Sequence, residues 1–151
     1  MGFENNSILD NIILNNMGNG LSLWSCDETD VRNNFISNNR GSGIFGGSAN
    51  SSIKGNTINA NLDSGIVLLN SYNNIIANNA ASSNNKKNTV GDNFDGISLG
   101  NSSEINVLSE NNVENNRLGM HLSGSSNNTL LNNYIINNTY NVFDDGKNRW
   151  N

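Results

Sequence analysis

The chain has no proline, one cysteine and one histidine in 151 residues, and only 14% of its residues are charged. Proline cannot donate to a strand ladder, so its absence suits a chain whose strands are mostly central. A single cysteine, Cys26, excludes a disulfide framework and any CxxC metal site. Eight Lys and Arg stand against thirteen Asp and Glu, for a net charge of −5. The basic residues are scattered, which excludes the basic stripe that nucleic acid requires and any polybasic membrane patch. No apolar run reaches the length of a membrane span and no secretory leader is visible, so membrane insertion is not expected. The repeat described below begins almost at Met1, as an excised fragment of a longer protein would.

What the chain has is asparagine, 38 of them, and they keep time. One series runs Asn11, Asn34, Asn56, Asn79, Asn111, Asn133, with steps of 23, 22, 23, 32 and 22 residues. Five residues after each stands another: Asn16, Asn39, Asn61, Asn84, Asn116, Asn138. Apolar residues hold the same register. Ile8, Val31, Ile53, Ile76, Leu108 and Leu130 form one lane, and Ile13, Ile36, Ile58, Ala81, Val113 and Ile135 a second. A glycine-led burst supplies Leu21, Ile44, Ile66, Ile97, Met120 and Val142. Cys26, Ser48, Ser71, Ser103 and Ser125 make a lane of small residues, in which Cys26 is expected to be buried packing.

Each apolar burst is too short for a helix, and a single coil cannot bury its own apolar side chains. Stacked coils can, with equivalent residues superposed at about 4.8 Å per rung. The expected fold is all-β: a right-handed parallel β-helix of about six coils, each of 22–23 residues and three short strands. The asparagines then have a structural role. They tolerate the left-handed backbone of a tight bend, and stacked amides bond to the rungs above and below. Both series are therefore expected to be turn ladders. Strict register in the apolar lanes also separates the chain from disordered Asn-rich tracts.

Residues 1–151 form one expected domain with two irregularities. Eleven residues, 85–95, stand between Asn84 and Gly96 where other coils have two or three, so they are expected to protrude as a loop. Residues 144–151, DDGKNRWN, are expected to leave the repeat.

The coil pattern Gly-Ile-x-Leu followed by Ser-x-x-Asn-x-Ile resembles the NosD-like, carbohydrate-binding-and-sugar-hydrolase group of right-handed β-helix repeats, a pectate-lyase-like superfold. The tail DDGKNRW is similar to the Asp-x-Gly-x-Asn-x-Trp signature that ends such arrays in secreted proteins. The resemblance covers nearly the whole chain and implies an extracellular or cell-surface protein. The copper role known in that group is not implied here, because three methionines, one histidine and Cys26 are too few soft ligands.

Outward positions of the glycine-led strand carry Trp24, Phe45, Val67 and Leu69, more apolar than a solvated sheet face requires. With His121, Asp92 and Asp95 they form the expected binding surface, and a polysaccharide or surface glycan is the expected partner. In pectate-lyase-like proteins, loops at the turn equivalent to 85–95 wall the substrate groove. Asp95 and His121 are the candidate catalytic groups. NFDGI (93–97) is similar to the Asn-Thr-Asp-Gly-Ile segment of polygalacturonases, but the adjoining Asp-Asp and Gly-His-Gly motifs are unmatched. No cofactor is expected; Asp92 and Asp95 could ligate Ca²⁺ with loop carbonyls. Three functions follow, in order. The first is a non-catalytic module binding carbohydrate or mediating adhesion. The second is a polysaccharide lyase, hydrolase or uronate epimerase, and the third a fibre subunit stacking end to end through unpaired strand edges.

Overall fold

The computed structural model describes residues 4–82 and 95–151. Three parallel sheets run the length of the molecule, with seven, six and six strands. The chain visits the sheets in turn, so neighbours within a sheet are one coil apart in sequence. The first sheet opens with Ser7–Leu9, the second with Ile12–Leu14 and the third with Leu21–Trp24. Register is strict: Ile53 pairs with Val31 and Ile76, and Ile58 with Ile36 and Ala81. Most strands are three or four residues long, the minimum that puts one apolar side chain inward and leaves room for a bend at each corner.

The lanes legible in the sequence form the core. Val31, Ile53, Ile76 and Leu108 are fully buried, as are Ile36, Ile58, Ala81 and Val113 on the second sheet. Ile44, Ile66, Ile97 and Met120 line the third, beside Leu68, Leu99 and Leu122. Cys26 packs against this core but is only half-buried, because its coil lies near the open end of the stack. The expectation of a fully buried cysteine is corrected accordingly.

The asparagine doublets divide their labour. The first member takes the left-handed backbone, as in Asn33 at φ 56° and Asn78 at φ 56°. The second turns its amide inward. Asn56 donates its backbone N–H and one Nδ2–H to Asn79 Oδ1, each at 3.0 Å, and its other Nδ2–H to Val31 O at 3.0 Å. The same bonds join Asn11, Asn34, Asn79, Asn111 and Asn133. In the second ladder Asn16, Asn39 and Asn61 are linked, as are Asn116 and Asn138, while Asn84 lies outside the described residues. The amides of these two ladders are thus satisfied by protein groups.

A third ladder occupies the remaining corner: Thr29, Ser51, Asn74, Asn106, Asn128 and Asn148. Its last member corrects the reading of the tail. Residues 144–151 stay in the repeat: Arg149–Trp150 is the seventh strand of the first sheet, and Trp150 pairs with Leu130. The turn into it is two residues shorter than usual, 20 between Asn128 and Asn148, which hid the register.

Candidate functional site

The outer face of the third sheet carries the chemistry. Phe45, Val67, Ser98, His121 and Phe143 stand in one register lane, each on the next strand. In the neighbouring lane Trp24 stands beside Gly47, and Leu69 beside Gly100. A Cβ placed on Gly47 would lie 3.4 Å from the Trp24 ring, and one on Gly100 would lie 3.2 Å from the Leu69 side chain. The large residues therefore lie over glycines of the adjacent rung, which flattens the face. Trp24 is 52% exposed and meets Phe45 edge-on, with ring centroids 5.4 Å apart. Phe45, Val67 and Leu69 are half-buried, so the expected exposed run is exposed at Trp24 and shallow beyond it. Ser98 and Gly100, outward by alternation, are buried.

Asp95 opens the strand Asp95–Gly100, and the rest of the expected loop, 85–94, lies outside the described residues. Its backbone N–H donates to Ser64 Oγ at 3.0 Å. His121 lies on the next strand, Leu118–Ser123. The pairing of Asp95 with Leu118 puts it one rung up and three residues along. The two candidate catalytic residues meet there: His121 Nδ1 lies 2.8 Å from Asp95 Oδ2. A carboxylate can only accept, so the bond fixes the Nδ1–H tautomer and leaves Nε2 as the free proton-transfer atom. The hydrogen bond to Asp95 raises the His121 pKa above its ordinary 6.5, opposed by burial and reinforced by the charges of Asp95 and Asp145. Phe143 packs edge-on against the imidazole at 5.1 Å, limiting ring rotation.

Asp95 is only 2% exposed, and its Oδ1 is buried with no hydrogen-bond partner among the described residues. Leaving a charged acceptor half satisfied costs at least about 1–3 kcal/mol. Orienting a histidine explains a carboxylate held in this way. A groove of about 340 Å³ runs over this face from Phe45 to His121, with Asp63 on one wall and Asn101 on the other. Asp92, expected with Asp95 to bind ligand or Ca²⁺, lies outside the described residues. Among the described residues no group of three His, Cys, Asp or Glu could hold a metal ion. Asp144 and Asp145 serve the terminal turns: Asp145 accepts from Gly124 N–H at 2.7 Å, and Asp144 from Gly146 N–H at 3.0 Å.

A solenoid of three parallel sheets, visited in turn by each coil, is the architecture of a right-handed β-helix protein. The chain belongs to that family: the model of the right-handed beta helix region matches residues 3–148. No curated protein matches the sequence. Among solved structures, a mutant form of the periplasmic alginate epimerase AlgG is similar, with a TM-score of 0.80 and 28% identity. The likeness covers 89% of this chain but 31% of that enzyme, so the chain spans less than a third of its length. Among the described residues, no helix is long and apolar enough to cross a membrane.

Proposed function

We propose that this chain is the β-helix portion of a polysaccharide-active enzyme working outside the cytoplasm, in which His121 transfers a proton at Nε2 and Asp95 orients it. The observation that carries this reading is the 2.8 Å contact between a buried, half-satisfied carboxylate and a groove-lining imidazole. The similarity to an alginate epimerase supports the same substrate class, a glycan, and the same broad chemistry, proton transfer on a sugar. The reaction class is abstraction or return of a proton on a sugar ring, with lyase and epimerase as its two outcomes. This puts the enzyme reading ahead of the non-catalytic module expected from the sequence.

The test is a turnover screen of wild type, His121→Ala and Asp95→Asn on alginate, polygalacturonate, xylan and chitosan. Unsaturated ends, reducing ends and ring epimers are scored by absorbance and NMR. Activity in wild type that falls at least 100-fold in His121→Ala, and less in Asp95→Asn, is the expected result. Turnover that survives His121→Ala would remove the histidine from the chemistry. A second reading, glycan binding without catalysis, is favoured by one observation, the Trp24–Phe45 ring pair, whose Phe45 lines the far end of the groove. Binding without turnover by any wild-type sample would select it.

A further inference from the structure

Phe45 and the dyad line one groove, Trp24 stands beside Phe45 just beyond that lining, and the ring pair and the dyad lie apart along the solenoid axis. Phe45 and His121 occupy the same lane on strands three rungs apart, through Val67 and Ser98. Three rungs of about 4.8 Å separate them by roughly 14 Å, a span that takes about three pyranose rings in an extended glycan. Among the described residues the floor between is shallow and partly apolar, formed by Val67, Leu69, Ser98 and Gly100. At the other end the Trp24 ring lies open over Gly47, its edge pair with Phe45 fixing the tilt.

We infer that Trp24 and Phe45 form a remote sugar-stacking platform that makes this site selective for glycan chain length. A chain of about four to five units reaches from His121 to the platform, and shorter chains do not. The inference rests on the glycan reading of the groove but not on catalysis. Aromatic faces stack on the apolar faces of sugar rings whatever the sugar's charge, so the platform measures length. Distant binding of this kind is what holds an internal unit of a polymer over a reacting group. An ordinary structural account of Trp24, cover for Gly47, predicts a loss of stability on truncation and no change in how affinity depends on length.

The experiment measures affinity by calorimetry for defined oligomers of two to eight units derived from alginate, xylan and chitosan. Wild type, Trp24→Ala, Trp24→Leu, Phe45→Leu and His121→Ala are compared, with thermal melts for each. In wild type at least one series should step up tenfold or more between three and five units. Trp24→Ala and Phe45→Leu should flatten that step and leave the shortest oligomers unaffected. Trp24→Leu, which still covers Gly47, should keep the melting temperature and lose the step. His121→Ala should weaken binding of oligomers long enough to reach the dyad, and the wild-type step is scored by binding alone, so absence of turnover would overturn the catalytic reading and leave the platform standing. Affinity independent of length in wild type, a step that survives the Trp24 variants, or no binding in any series would overturn the inference.

Discussion

At the residue scale the molecule shows both economy and strain. Asn50, Asn73 and Asn127 hold left-handed backbone at one corner of successive coils, at φ 52° to 58°. In the coil between Asn73 and Asn127 the position is Ile105, at φ 58° and 58% exposed. A β-branched side chain in that conformation is strained by about 1–2 kcal/mol, and its exposure returns no burial. Ile105→Asn should therefore stabilise the protein by about 1 kcal/mol, read as a higher urea midpoint at unchanged slope. His121 gives a second test. Its pKa is raised above 6.5 chiefly by the bond to Asp95. The paired histidine thus adds stability that is fully present below pH 6.5 and fades as pH rises through the raised value. An NMR titration should place wild-type His121 above 6.5, with the value falling in Asp95→Asn. If that variant titrates like wild type, the carboxylate is not what sets the imidazole.

At the scale of the element, the asparagine ladders are as much a part of the sheets as the strands. Asn79 accepts two bonds from Asn56 and donates to Ile53 O and Asn111 Oδ1. Asn79→Ala leaves the Asn56 backbone N–H and one amide N–H buried without acceptors, at about 1–3 kcal/mol each. The expected loss is at least about 3 kcal/mol by denaturant unfolding. Asn11→Ala, at the exposed start of the ladder, should cost less than about 1 kcal/mol. Two ladders were legible because each rung is asparagine and the second follows the first by five residues in every coil. The third was not, since Thr29 and Ser51 stand in it and the step to Asn148 is short. The dyad was half legible. Asp95 and His121 were each named, yet their separation of 26 residues is one coil plus three, and only side-chain direction converts that into a contact. The face of the third sheet was also read as more open than it is: alternation puts Ser98 outward, and the structure buries it.

At the scale of the whole molecule, each coil touches only its neighbours, so stability is a sum over stacked rungs and is lowest at the ends. At one end Ile12 and Met17 are widely exposed. At the other a single carboxylate ties the last rung: Asp144 accepts from Gly146 N–H, from Asn148 Nδ2 at 2.7 Å and from Trp150 Nε1 at 2.7 Å. That knot holds Asn148 on the third ladder and Trp150 against Leu130. Amide exchange should therefore be graded along the axis, slowest at Ile76 and Leu108 in the central rungs and faster toward both ends. Asp144→Ala should speed exchange at Trp150 and Leu130 by tenfold or more, with little change at Ile76. The dyad sits one strand short of the end strand Tyr140–Asp144, through Phe143. Fraying that reaches Phe143 would free the imidazole edge and relieve the burial that holds its pKa down, so the same variant should raise the His121 pKa further above 6.5. A uniform rise in exchange at every rung would show instead that the solenoid unfolds as one cooperative unit, and that the terminal knot guards the fold rather than the site.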